Sequence, residues 1–290
     1  MSHSAHTTGS PAWAPFVRVA LVEDVGHGDA TTAATVPGDI VGEARIIARS
    51  RGVIAGFGGV AETYHQVDPE VAVKPEVLDG GRVEPGTVVL SAAGSFASLL
   101  VAERTGLNFL QRLSGIATLT AHFVEAVDGT GAKIVDTRKT TPGWRVLEKA
   151  AVIAGGGHNH RMGLYDAYLI KENHLAAAGG VTAALERVAA ANTDRQPVEL
   201  EVVSLAELDE ALSSTNPPDR IMCDNFEIDD LRTAVERIRA VDTDMLIEAS
   251  GNVRLETVRS IASTGVDWIS VGALTHSAPA MDLSCLIEKR

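Results

Sequence analysis

The sequence predicts an α/β protein in which a parallel α/β barrel fills most of the second half and a smaller strand-and-helix domain precedes it. Three observations lead there. From residue 133 onward, short β-rich runs alternate with helix-like segments. Each of those runs ends on a polar or small residue. The first third has another rhythm, with hairpin turns in place of βα repeats.

Residues 1–12, within "MSHSAHTTGSPAW", read as a loose tail. They lack the cationic and apolar regions of a secretory signal. "VGEARIIARSRGVIAGFGGV" (41–60) alternates apolar and polar residues and then breaks at glycines. "VAVKPEVLDGGRVEPGTVVLSAAGS" (71–95) repeats short β-like runs between Asp-Gly, Gly-Gly and Pro-Gly turns. "FASLLVAERTGLNFLQRLSGIATLTAHFVEAV" (96–127) spaces Leu99, Leu100, Leu107, Leu110 and Leu113 at helical intervals. Gly106 and Ser114-Gly115 mark either breaks in that helix or close packing.

The next runs are "AKIVDTRK", "AYLIKENH", "VELEVV", "RIMCDN", "LIEASG" and "WISVGA". Their ends are Asp136, Lys171, Glu201, Asp224, Ser250 and Gly272, at successive gaps of 35, 30, 23, 26 and 22 residues. Helix-like segments such as 181–191, 204–213, 228–240 and 253–263 lie between them. This alternation builds parallel βαβ units, in a barrel or a wide doubly wound sheet. Polar residues gathered at the C-terminal strand ends favour the barrel, which places its site there. The final segment, 276–290, is a closing helix or strand on the first domain.

The formal net charge is −13, yet 138–171 holds six Lys/Arg against Glu148 and Asp166 only. An acidic surface disfavours nucleic acid, and no apolar run is long enough for a membrane span. A cationic cluster in such a chain suits a small anionic ligand in a pocket; a solvated surface patch is the plainer alternative. Cys223 and Cys285 form no disulfide framework or metal spacing, which fits a reducing cytoplasm.

The strand ends carry the chemistry. Arg138 and Lys139 offer a planar fork and a point charge, suited to an anion with more than one acidic group. In "AGGGHNHRMGLYD" (154–166) the glycines let the backbone approach a ligand. His158 and His160 tempt a zinc reading, but too few further ligands follow. Beside Arg161, His160 suits an anion contact. Lys171 could pair with an anion or form a Schiff base. Glu199 and Glu201 alternate onto one face, and with Asp224 could hold Mg²⁺ or accept from sugar hydroxyls, or only brace a loop. "EASGNV" (248–253) and "SVGAL" (270–274) place Gly beside small residues before helices, which suits phosphate; ordinary turn glycines are the alternative.

Longer blocks make the pattern specific. "EDVGHGDATT" (23–32), "AERTGLNFLQRLSGIAT" (102–118), "DTRKTTPGWRVLEKAAVIAGGGHNHRMGLYDAYLIKENH" (136–174), "EVV", "CDN" and "EASGNV…SVGALTHS" resemble the quinolinate phosphoribosyltransferase family across almost the whole chain. The resemblance implies an amino-terminal α/β sandwich (13–115 plus 275–290) and an incomplete, seven-stranded α/β barrel (116–274). It implies a cytoplasmic homodimer that needs Mg²⁺ and joins quinolinate to 5-phosphoribosyl-1-pyrophosphate, giving nicotinate mononucleotide, pyrophosphate and CO₂. Related acceptors, or a non-catalytic module binding a phosphorylated dicarboxylate, are the alternatives. Carried over by position, Thr137, Arg138, Lys139, His160, Arg161 and Lys171 line the quinolinate pocket, and Arg104 enters from the partner subunit. Glu201 and Asp224 serve the ribose and Mg²⁺, with Lys139, Lys171, Glu201 and Asp224 as the catalytic set. Ser250, Gly251 and Asn252, with Val271, Gly272 and Ala273, hold the 5-phosphate. Asn252 stands where many relatives carry a second glycine.

Overall fold

The computed structural model describes residues 12–290, so the expected tail, 1–12, lies almost wholly outside the described residues. The chain forms two compact units: 1–121 with 140–156 and 274–290, and 122–139 with 157–273. In chain order the elements run α1 (Ala14–Asp24), α2 (Ala30–Thr35), β1 (Val41–Ala48), β2 (Gly52–Val53), α3 (Phe57–Val67), β3 (Ala72–Pro75), β4 (Arg82–Val83), β5 (Val88–Ser95) and α4 (Phe96–Ala126). They continue with β6 (Lys133–Val135), α5 (Arg145–Ala154), β7 (Tyr168–Ile170), α6 (Glu172–Ala178), α7 (Val181–Ala191), β8 (Val198–Val202) and α8 (Leu205–Leu212). The last are β9 (Arg220–Asp224), α9 (Ile228–Val241), β10 (Leu246–Ser250), α10 (Leu255–Ala262), β11 (Trp268–Ser270), α11 (Ala273–His276) and β12 (Leu283–Lys289).

The first unit is built on an antiparallel sheet in the order β12-β1-β5-β3, beside a small β2-β4 ribbon. Strand β1 alternates buried and less buried residues, as a sheet with one covered face requires. Its buried Ala44, Ile46 and Ala48 join Leu90, Leu99, Leu107, Leu110 and Leu283 in one core. The final segment is thus a strand, paired along β1 from Lys289 opposite Gly42 to Leu283 opposite Ala48.

Helix α4 is continuous for 31 residues, so its glycines serve close packing and not breaks. A Cβ on Gly115 would lie 2.0 Å from the carbonyl oxygen of Pro279. No helix among the described residues is long and apolar enough to cross a membrane.

The second unit is a parallel sheet in the order β6-β11-β10-β9-β8-β7. One further parallel bridge joins Val135 to His158. Sequential strands β7 to β11 neighbour one another in parallel, as consecutive βαβ units do. All six β-rich runs become strands; Glu201 is the penultimate residue of β8, and the other ends sit at or just past a strand's C-terminus. Register aligns Ser250 with Asp224 and Glu248 with Met222, so residues two apart on these strands form tiers on one face.

Candidate functional site

The upper tier of the second unit carries the residues singled out in the sequence. Lys171 follows β7 and Glu201 lies near the end of β8; their side chains form a short ion pair. Glu201 is mostly buried while Lys171 keeps nearly half of its side-chain surface. Asp224 ends β9 and accepts a hydrogen bond from Asn225 Nδ2 at 2.7 Å. Asn252 Nδ2 donates to Asn225 Oδ1 at 2.9 Å, and the Asn225 amide donates to the Ser250 carbonyl at 2.9 Å. The ends of β9 and β10 are therefore one hydrogen-bonded corner.

That corner depends on left-handed backbone. Gly251 has φ +95°, and a Cβ there would lie 2.2 Å from Asn225 Oδ1. Asn252 has φ +47°. Asn tolerates this region better than other L-residues, so it can replace a second glycine here. The 251–253 segment precedes α10, whose N-cap is Arg254. On the neighbouring strand, the Val271 amide donates to the Val135 carbonyl at 2.9 Å, leaving Gly272 and Ala273 to follow the strand end.

The cations follow β6. The Lys139 amide donates to Thr137 Oγ1 at 3.0 Å, which fixes the turn carrying Arg138. Arg161 is held by a carbonyl: its Nη1 donates to Ala167 O at 3.1 Å. Burial pushes the Arg161 pKa below its usual value, and the nearby positive charge of Arg138 adds to the effect. Two guanidiniums that destabilise one another would be relieved by an anion placed between them. Asp166 closes the loop beyond, accepting from the amides of Met162 at 2.6 Å and Gly163 at 2.9 Å. Burial raises its pKa, but those amide bonds outweigh it and leave the carboxyl below its usual range.

His160 lies deeper. Its Nε2 is 2.9 Å from Glu199 Oε2 and 3.4 Å from Glu248 Oε2. Its Nδ1 accepts from the Arg161 amide at 2.7 Å, and its own amide donates to Asp136 Oδ1 at 2.9 Å. Burial disfavours charge on this ring, while Glu248 and the Glu199 hydrogen bond draw its pKa up to about 9. A charged ring would carry a proton on both nitrogens at neutral pH, but the Arg161 amide already donates to Nδ1 at 2.7 Å, so the geometry holds the ring neutral against that pull. The hydrogen bonds therefore place the ring proton on Nε2.

Burial and the charge of Glu248 raise the Glu199 pKa. Burial also works to raise that of Glu248, yet His160 and Arg220 bring it down to about 2.

His160, Glu199 and Glu248 have the donor types of a metal centre, with ligand atoms within 4.8 Å of one another. Arg220 argues against that use. Its Nη1 is 3.2 Å from Glu248 and 3.6 Å from Glu199, where it already supplies the compensating charge. His158 does not join this set: its amide bonds the Ile134 carbonyl at 2.8 Å and belongs to the strand bridge. His174 caps its own helix, with Nδ1 accepting from the Lys171 amide at 2.9 Å.

Arg104 belongs to the first unit, on α4, with more than half its side chain exposed and Glu103 at 3.7 Å. Glu148, also in that unit, does not remain available to the cationic cluster. It is fully buried and taken by Arg112 Nη2 at 3.3 Å, the Thr141 amide at 3.0 Å and Thr141 Oγ1 at 2.7 Å.

Reading strand ends alone misses Asp136 as a buried acceptor, and Arg220, Glu248 and Trp268 altogether. Period two would have found Glu248 from Ser250 and Arg220 from Asp224.

Family models for quinolinate phosphoribosyl transferase match the chain twice: the N-terminal domain over 29–114 and the C-terminal domain over 116–285. A nicotinate-nucleotide pyrophosphorylase (carboxylating) of Mycobacterium leprae is 45% identical over 271 residues, covering 92% of this chain and 94% of that protein. A probable nicotinate-nucleotide pyrophosphorylase (carboxylating) of Synechocystis is 41% identical over 292 residues, covering 100% of this chain and 98% of the relative. Among solved structures, the nicotinate-nucleotide pyrophosphorylase of Francisella tularensis superposes with a TM-score of 0.92 at 37% identity, covering 99% of this chain and 100% of that one. With both domain models matched in order along most of its length, this chain belongs to the quinolinate phosphoribosyltransferase family.

Proposed function

We propose that this chain transfers phosphoribose from 5-phosphoribosyl-1-pyrophosphate to quinolinate and decarboxylates the product, giving nicotinate mononucleotide, pyrophosphate and CO₂. The observation that carries the reading is the set of strand ends on the second unit. Cations stand after β6 and at Arg161, carboxylates end β8 and β9, and a left-handed Gly251-Asn252 corner follows β10. Quinolinate is a dianion at neutral pH. Arg138, Lys139, His160 and Arg161 line its pocket with Thr137, and Lys171 stands at the edge. The partner subunit of a homodimer supplies Arg104.

The chemistry needs no protein nucleophile. Cleavage of the ribose–pyrophosphate bond builds positive charge on the anomeric carbon, and Glu201 and Asp224 stabilise that charge or the adjacent hydroxyls. Lys171 pairs with Glu201 and holds it in place. Asp224 and Glu201 offer carboxylates on adjacent strands, which would hold a Mg²⁺. When bound, that ion stabilises the leaving pyrophosphate. The amides of Ser250, Gly251 and Asn252, with Val271, Gly272 and Ala273, receive the 5-phosphate. The pyridine nitrogen attacks the sugar carbon, and the ring becomes cationic. That ring accepts the electron pair of the breaking C–C bond, so the 2-carboxylate departs as CO₂ and a proton takes its place. The protein's share is positioning, worth several kcal/mol where reacting atoms are held near contact. In the architecture this implies, the single bridge at His158 is the seventh strand of an incomplete barrel.

Lys139→Ala and Arg161→Ala should each abolish product formation in protein that melts as the wild type does. Full turnover in both variants would remove the assigned pocket.

A further inference from the structure

Beneath the strand ends lies a second tier of buried charge that the reaction as described does not use. Glu199 lies two residues before Glu201, Arg220 four before Asp224, and Glu248 two before Ser250. On the next strand, Trp268 pairs with Glu248 in register. The Arg220 guanidinium lies 3.8 Å over the Trp268 ring. It reaches Glu248 at 3.2 Å and Glu199 at 3.6 Å. Both carboxylates converge on His160 Nε2. The other ring nitrogen accepts the Arg161 amide at 2.7 Å.

Every polar atom of the His160 ring is thereby engaged by the protein. The chain of contacts runs in one direction: Trp268 and Arg220 fix the two carboxylates, these fix the imidazole, and the imidazole fixes the backbone of Arg161. Asp136 holds the His160 amide from the side, two residues before Arg138.

We propose that Arg220 and Glu248 are positioning residues for the dicarboxylate substrate, acting through His160 to set where Arg161 stands. On this reading His160 supports the pocket through its ring acceptor, and its ring proton stays with Glu199 when substrate enters. Arg220 is needed because two adjacent buried carboxylates without a cation would repel and release the imidazole. The flat guanidinium over Trp268 gives that cation one orientation, which lysine cannot reproduce.

The inference rests on the reading of this site as a quinolinate pocket, and its test separates the two. Steady-state kinetics on wild type, Arg220→Lys and Glu248→Gln would vary each substrate in turn. Glu248→Gln keeps the shape of the side chain and removes one charge. Arg220→Lys keeps the charge and loses the planar fork. Each should raise KM for quinolinate about tenfold or more, as a small displacement of a gripping side chain does. KM for the phosphoribosyl donor should stay within about twofold, because uniform loss of binding is not expected at a remote subsite. Equal changes in both KM values, or none in either, would overturn the inference.

Ring ¹⁵N spectra of His160 in the wild-type protein decide the same point without substitution. Nε2 should be protonated, Nδ1 should not, and neither should gain or lose a proton on saturation with quinolinate. A protonated Nδ1, or an Nε2 that loses its proton when quinolinate binds, would overturn it. A wild-type enzyme that releases no CO₂ from the two substrates would fail the functional reading instead.

Discussion

Replacing Gly251 with alanine tests the phosphate end of the site. At φ +95° the backbone lies where an L-side chain costs about 1–2 kcal/mol. The new methyl would also meet Asn225 at 2.2 Å (Oδ1), 2.4 Å (Cγ) and 2.8 Å (backbone nitrogen). The side-chain atoms can turn away, but the backbone nitrogen is tied to the Ser250 carbonyl at 2.9 Å. Relief therefore breaks the Asn252–Asn225 hydrogen bond, at a cost of about 1 kcal/mol. The sum is about 2–3 kcal/mol, or roughly thirty- to a hundred-and-fiftyfold in a binding constant. If the corner must regain its native shape to receive the 5-phosphate, that strain falls on the bound state. KM for the phosphoribosyl donor should rise by that factor, while calorimetric binding of quinolinate alone stays near the wild-type value. A Gly251→Ala enzyme with an unchanged donor KM would refute the assignment of this corner to the phosphate.

Other consequences follow from the same geometry. The Asp166 carboxyl is held below its usual range, so its contribution is present above the ordinary aspartate value and is lost as pH falls through the depressed one. The stability that Asp166 contributes should fall across that acid window, and Asp166→Asn should lower the melting temperature at neutral pH; an Asp166→Asn protein that melts as the wild type does would contradict this. In the first unit, Glu148→Ala leaves Arg112 and the Thr141 amide without their buried acceptor, and should cost about 3–5 kcal/mol in denaturant unfolding. A loss below about 1 kcal/mol would show that the pair is not structural.

Much of this was legible in the sequence because strands report their ends. The runs around Asp136, Lys171, Glu201, Asp224, Ser250 and Gly272 all became strands or strand ends, since a parallel strand is a short apolar run and its polar terminus stands out. The glycines of α4 were ambiguous because sequence cannot say what approaches a helix; Pro279 against Gly115 decides it. The lower tier was hidden for a related reason. Arg220 and Glu248 lie inside apolar runs, where a charged residue reads as an interruption until its partners are known. Those partners come from three other segments: Trp268 and Glu199 are brought to them by the sheet order, and His160 by the loop after α5. The role of Glu148 was equally invisible, because Arg112 lies 36 residues away on α4.

The most direct measurement supplies quinolinate labelled in its 2-carboxylate, together with 5-phosphoribosyl-1-pyrophosphate and Mg²⁺, to the purified protein. Labelled CO₂ and pyrophosphate should appear in equal amounts, with neither formed when nicotinate replaces quinolinate. Pyrophosphate released from nicotinate at a comparable rate, or none from either acid, would contradict the account.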